Sequence, residues 1–424
     1  DTNVAVGNGA LYNNTTADDN VAVGHNALDA NTTGHSNVGV GKDALTANTT
    51  GLRNTGLGMS TLETVTTASN NTAVGYGVLA SNTTGASNTA VGIYALDANT
   101  TADSNTAVGY GSLGANTTGH SNTAVGSLAL DANTTANEVT AVGYKALSAN
   151  TTGASNSAFG AHALSSVTTG QTNTGLGYAA AYLTTTGDHN TAVGNFALGA
   201  NTTASNNTAV GAASLDACTT GASNTAVGKS AATAITTGAS NVAIGMNALE
   251  TATTTSNSVA VGYAALASSV SGDCVAVGYA ALNANTTGTD NVAVGKSALA
   301  LNTTGGSNTA VGAFALDAHT TGIQNTAIGT SALGASTTGE TNVAVGLQAG
   351  NSITTAYRGV FIGNGAFNSI TTGLRNTACG YGCGGTGVTA YNNTLVGAEC
   401  DVSADDANNQ VVLGWDCTGS GNAT

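Results

Sequence analysis

Apolar and polar positions recur along the chain with one fixed period. The pentapeptide Asn-Val-Ala-Val-Gly at residues 3–7 returns at residues 20–24, and close variants stand at Asn71–Gly75 and Asn241–Gly245. Its final glycine falls at 7, 24, 41 and 58, continues in steps of 17 to 262, shifts to 278, and then resumes steps of 17 to 414. The chain therefore reads as 25 coils with one single-residue deletion, between Leu266 and Cys274. With the repeat glycine as position zero, the consensus is G-x-x-A-L-x-A-N-T-T-G-x-S-N-T-A-V. Alternation in N-T/V-A-V predicts a strand with residues such as Val21 and Val23 facing the core and Ala22 facing away. The segment A-L-x-A predicts a second strand, with Leu28 and Ala30 on one face and Ala27 and Asp29 on the other. The intervening N-T-T-G and G-x-x are turn formers. A unit of two short strands and two turns cannot close a core alone, whereas stacked copies can, at about 4.8 Å per coil. The prediction is an all-β chain, a parallel β-solenoid or β-roll.

Two other classes fail on the same pattern. Helical solenoids need repeats of roughly 33 residues or more, rich in helix formers. A disordered low-complexity tract has no reason to keep Leu28, Leu45, Leu62, Leu79, Leu96 and Leu113 in strict phase. One array covers the chain, with residues 1–346 regular and residues 347–424 an atypical C-terminal set of coils and cap. The core leucine is lost after Leu333, where Gly350, Phe367, Gly384 and Asp401 take its place, as end coils of repeat arrays tend to show. The deletion falls in a turn, at residues 268–273, so Val261, Leu266, Val277 and Leu282 are expected to keep their faces.

Columns of like residues follow from stacking. Asparagine stands four positions before the repeat glycine in 20 of 25 coils, as at Asn20, Asn37, Asn54, Asn71, Asn88, Asn105 and Asn122. In-register amides can bond up and down a stack, so this column reads as an asparagine ladder. A second column, with Asn31, Asn48, Asn82 and Asn99, also spells the glycosylation acceptor N-T-T, with the ladder or turn reading preferred. The acids at position +5 (Asp29, Glu63, Asp97, Asp131, Asp216, Glu250 and Asp317) never occupy consecutive coils, which is what parallel stacking of like charges demands. Tyr76, Tyr110, Tyr144 and Tyr178 recur at position +1 every second coil, a candidate surface contact row for a repeating glycan. Positions +1, +2, +11 and +12 carry most of the Tyr, His, Lys, Arg and Asp, as a rigid scaffold displaying variation at its turns does.

One Val, one Leu and a few Ala per coil make a thin core. The line Ala22, Ala73, Ala90, Ala107 and Ala124 is then an apolar stripe on the outer strand face. Left in water it is unusually long, so the expectation is a parallel homotrimer whose alanine columns face partner chains.

Composition excludes several partners. With 59 glycines, no proline and 7% charged residues the chain fits no ordinary globular class. A net charge of −15 repels phosphate backbones, so no nucleic acid is expected. No membrane span is expected, since no stretch approaches the roughly 20 apolar residues it needs, and no basic-then-apolar leader precedes Asp1. His25, His35, His120, His162, His189 and His319 form neither a column nor a cluster, and no metalloprotease, phosphate-loop or calcium-repeat motif is present. No catalytic, cofactor or metal site is assigned, and the chain is read as a non-enzyme. Cys218 and Cys274 each replace a ladder asparagine. Cys383, Cys400 and Cys417 share position +3 of the last three coils, with Cys379 nearby at the position read as core valine. They form a candidate disulfide-stapled cap, with a four-thiolate metal site as the alternative.

The motif N-T/V-A-V/I-G followed by A-L and N-T-T-G resembles the head repeats of trimeric autotransporter adhesins, and still more the repeat proteins of bacteriophage and viral tail fibres. In the adhesin heads a related repeat forms a left-handed trimeric β-roll, with a shorter coil than this chain has. The ending Asn408 to Gly414 resembles the segment that precedes a self-cleaving endosialidase-type chaperone in such fibres, consistent with a processed chain end. The resemblance implies an extracellular attachment fibre on a virion or cell surface, contacting a host or surface glycan or protein receptor, with the virion favoured. The alternatives are an ice-binding β-solenoid and a sheath or matrix filament that assembles end to end.

Overall fold

A computed structural model describes residues 2–386 and 388–420. The chain divides into two compact units, Asp1–Asn207 and Thr208–Thr424. The first carries twelve strands, β1 (Val4–Val6) to β12 (Thr191–Val193), and the second thirteen, β13 (Thr208–Val210) to β25 (Val411–Leu413). Every strand is three residues long, and no helix occurs among the described residues. Within each unit successive strands pair parallel and in register, as in Thr72↔Thr89, Ala73↔Ala90 and Val74↔Val91 in the first and Thr225↔Val242, Ala226↔Ala243 and Val227↔Ile244 in the second. The fold is a parallel β-solenoid.

The faces of the strand are the reverse of the sequence expectation. Ala22, Ala73, Ala90, Ala107 and Ala124 are fully buried, while the flanking valines lie at the surface, half-exposed in most coils. The reason is the other wall. Ala27 and Leu28 both point inward, at 0% exposure, and the alanine of the strand packs against that leucine layer. A Cβ placed on Gly39 lies 3.4 Å from Leu28 Cγ. Between walls this close a methyl fits and a second branched side chain does not. The alanine stripe is thus core, and cannot be the surface that meets a partner chain.

A-L-x-A is not a strand. Its leucine adopts left-handed backbone, with φ of 53° at Leu28 and 51° at Leu96, and so does the residue two before it. Left-handed backbone breaks the two-residue alternation, which is why neighbours Ala27 and Leu28 can share the interior. This geometry costs a non-glycine residue about 1–2 kcal/mol. Hydrogen bonds to the next coil offset it: the Leu28 amide donates to the Ala44 carbonyl at 3.0 Å and the Ala30 amide to Thr46 at 3.0 Å. The repeat glycine is needed twice over. Its φ is near 135° at Gly109, and a Cβ on Gly92 falls 2.5 Å from the Gly109 carbonyl oxygen.

Two asparagine ladders run through the interior. In the first, the Asn37 amide N–H donates to Asn20 Oδ1 at 2.9 Å, and Asn37 Nδ2 donates to the Gly51 carbonyl at 2.8 Å. In the second, Asn48 Nδ2 donates to Asn31 Oδ1 at 2.9 Å and to the same Gly51 carbonyl at 3.2 Å. The N-T-T asparagines are therefore buried and committed to the stack. Buried acceptors without a partner mark its interruptions: Asn48 Oδ1 and Asn150 Oδ1 stand directly before Val65 and Val167, which cannot donate.

The 16-residue coil keeps its register, with Val259↔Val275 and Val261↔Val277 paired. Only one residue, Val270, stands where other coils have Thr-Thr, and Ser271 Oγ bridges to the Gly288 carbonyl at 2.7 Å. Val277 lies on the outer face with every other valine of its column, because the face assignment is inverted throughout rather than at the deletion. In the last coils the core is recut. Phe361 replaces the strand alanine and Phe367 the leucine, with rings 5.8 Å apart edge to face. Glycines make the room: a Cβ on Gly350 sits 3.0 Å from Phe361, and one on Gly384 sits 2.5 Å from Phe367.

Ladder position should set the cost of losing an amide. Asn116 donates to Asn99 Oδ1 and accepts from Asn133 Nδ2, so Asn116→Ala is expected to cost about 2 kcal/mol in denaturant unfolding. Asn48→Ala, at a ladder end, should cost roughly 1 kcal/mol less. Equal losses would show that the ladder contributes nothing beyond local contacts.

Candidate functional surface

The first unit carries a row of aromatic side chains on its turn edge. Tyr76, Tyr110, Tyr144 and Tyr178 are all substantially exposed, from 40% to 56%. Tyr94, Leu128, His162 and Phe196 lie between and beside them, at position +2 of the alternate coils. These interleaved side chains were missed in reading the sequence, although they too recur every 34 residues. Position +2 has left-handed backbone, with φ of 56° at Tyr94 and 60° at His162, and each of these two rings lies against the tyrosine of the preceding coil. Glycine at +2 clears the space in two of the tyrosine coils. A Cβ on Gly77 lies 3.0 Å from the Tyr94 ring, and one on Gly111 lies 3.1 Å from Leu128.

The rings brace one another edge to face. Centroids are 5.3 Å apart for Tyr76 and Tyr94, 5.3 Å for Tyr144 and His162, 6.1 Å for His162 and Tyr178, and 5.5 Å for Tyr178 and Phe196, within the separations such pairs prefer. The Tyr94 phenol is held above its ordinary pKa, first by its hydrogen bond with Tyr76. Lys145 Nζ lies 5.5 Å from the Tyr144 ring centre. At the end of the row His162, Tyr178, Ala179, Tyr182 and Phe196 line an open cleft of about 260 Å³. A smaller set stands in the second unit, where the Tyr263 and Tyr279 rings stack at 5.3 Å and 12°.

No protein-family model matches the chain, and no curated protein matches its sequence.

The other sequence candidates fall elsewhere. Cys383 and Cys400 are buried and adjacent, Cys417 is half-exposed, and every thiol is free. Burial first, then Cys400, pushes the Cys383 thiol up to about 12, while Cys400 Sγ donates to the Gly414 carbonyl at 2.7 Å. Cys379 is exposed, since its column is the outer one and not the core position expected for it. Cys218 and Cys274 are buried within the ladder columns. Among the described residues no three histidine, cysteine or acidic side chains converge as a metal site would require. The threonine at +8 turns its hydroxyl along the stack, Thr32 Oγ1 donating to the Thr49 carbonyl at 3.0 Å.

Acids at +5 sit over small neighbours, with a Cβ on Gly114 only 3.4 Å from Asp97 Oδ1. Partial burial raises the carboxyl pKa of Asp97, Asp131, Asp216 and Asp317. A raised carboxyl pKa means that folding strengthens proton binding, so that contribution is present in acid and lost as pH climbs through the raised value. His319 has the opposite sign. It occupies an asparagine ladder position, with Nε2 2.9 Å from the Gly322 carbonyl, and burial lowers its pKa. Its contribution is present above the ordinary histidine value and lost as pH falls below it. Between about pH 7 and about pH 5 the second unit of His319→Asn should lose less thermal stability than the wild type. Identical pH slopes would contradict this.

Proposed function

We propose that the chain is a non-enzymatic, extracellular structural fibre that builds an attachment shaft or head on a virion or cell surface. The observation that carries this reading is the division of each coil. Interior columns are nearly uniform and absorbed in the stack, while the exposed turn columns vary and carry the aromatic row. A rigid scaffold that displays side chains at regular height suits adhesion to a host or surface receptor. The array offers columns rather than the convergent cleft of catalytic groups that an enzyme needs, and no cofactor is invoked. Acidic charge disfavours nucleic acid as a partner. Labelling of native particles with an antibody to the chain should mark projections from a virion or cell; label confined to the cell interior would refute the proposal.

Assembly as a homotrimer belongs to this proposal, with a different contact face from the one the sequence suggested. The outward file of Val74, Val91, Val108 and their neighbours is the long apolar surface that partner chains would cover. Mass in solution should correspond to three chains. Val74→Glu with Val91→Glu and Val108→Glu should release folded monomers, whereas Ala90→Glu should unfold the coil, because it places a charge in the core. A wild-type monomer of full β content would remove the trimer.

A second reading has its own support. From Thr55 to Thr191 the outer strand column of the first unit is Thr in every coil but one, where Ser157 stands, a file of hydroxyls beside the valines. Such a file could order water as an ice-binding face does. Thermal hysteresis in the purified chain would favour this reading, and its absence would leave adhesion.

A further inference from the structure

We propose that the aromatic row of the first unit, from Tyr76 to Phe196, is a binding track for a neutral, extended glycan chain whose sugars are joined by equatorial 1,4-β linkages. This names the ligand class of the attachment reading and rests on it.

Four observations converge. The period comes first. Tyr76, Tyr110, Tyr144 and Tyr178 share one position in every second coil, so their spacing is about 9.6 Å, twice the interstrand step. An extended 1,4-β-linked polymer alternates its ring faces and repeats every two sugars over a similar length. Successive tyrosines therefore meet equivalent faces of the polymer, whereas a helical α-linked chain falls out of step. Rigidity comes second: edge-to-face contacts run Tyr144 to His162 to Tyr178 to Phe196, so little freedom remains to be lost on binding. Third, the cleft at the end of the row is about 260 Å³, below the usual range for drug-sized ligands and on the scale of one or two sugar rings. Its wall combines ring surface with tyrosine hydroxyls and an imidazole, the pairing of apolar area and polar handles that a pyranose presents in reverse. Fourth, no acidic, lysine or arginine side chain lines the cleft, and the chain's net charge of −15 opposes anionic polymers.

A protein segment is the competing occupant. It has no reason to match a two-coil period, and the row is broken into separate rings rather than a continuous groove. A second copy of this chain is the other competitor, and the measurement below separates it.

The test is calorimetric titration of the full chain with cellohexaose and chitohexaose, with maltohexaose as the α-linked control. Binding is expected for at least one β-linked hexasaccharide and at least tenfold weaker for maltohexaose. Tyr144→Ser, Tyr178→Ser and Phe196→Ser combined should weaken it tenfold or more with circular dichroism unchanged. Tyr178→Trp, which keeps a ring at that height, should retain it. Tyr263→Ser with Tyr279→Ser in the second unit should leave it intact. No heat with either β-linked sugar, equal binding of maltohexaose, undiminished binding by the triple variant, or a change of oligomeric mass in that variant would each overturn the proposal. Attachment to native surfaces that survives loss of the row would overturn the glycan track while leaving the attachment reading standing. Glycan binding by a chain found only inside cells would do the reverse.

Discussion

Hydrogen bonding between neighbouring coils, in register and at one fixed height, is the constraint from which the rest follows. The strands are too short to be stable as a sheet by themselves, and each coil closes almost no interior of its own. Backbone amides throughout the coil, in turns as well as strands, reach to the coil before or after. Register then puts each side chain directly over its counterpart. Asparagine is favoured inside because its amide can donate one way and accept the other, and a valine in that column leaves the preceding carbonyl without a donor. Acids at +5 avoid consecutive coils for the same reason that asparagines seek them.

Cross-section is the second constraint. A 17-residue coil with an alanine wall facing a leucine wall has no slack. Volume can enter only if it leaves elsewhere, as Phe361 and Phe367 show beside Gly350 and Gly384. Close packing makes such exchanges local and reciprocal. Interior change is therefore narrowly permitted, and diversity moves to the turns, where a long side chain meets water or its neighbours. The aromatic row is one concentration of that diversity, and left-handed backbone at +2 brings Tyr94 and His162 against the tyrosines of the preceding coils.

Repeat length, coil number, parallel stacking, the asparagine ladder and the harmless position of the deletion were legible because each depends on identity at a fixed spacing, which a one-dimensional pattern records in full. The tyrosine row was legible for the same reason. The contact of Tyr94, His162 and Phe196 with it was not, because they stand at a different coil position and become neighbours only through the backbone of adjacent coils.

The faces were decided by tertiary structure alone. Alternation in N-T-A-V states that valine and alanine point opposite ways, and is silent on which points inward. Hydrophobicity favours valine; the closeness of the leucine wall favours alanine, and space prevailed. Likewise A-L-x-A carries a strand's alternation, yet left-handed backbone at the leucine turns two consecutive residues inward, an arrangement repaid only by hydrogen bonds to a neighbouring coil. Periodicity along the chain determined that the protein stacks, and the width of the stack, which exists only after folding, determined what each column touches.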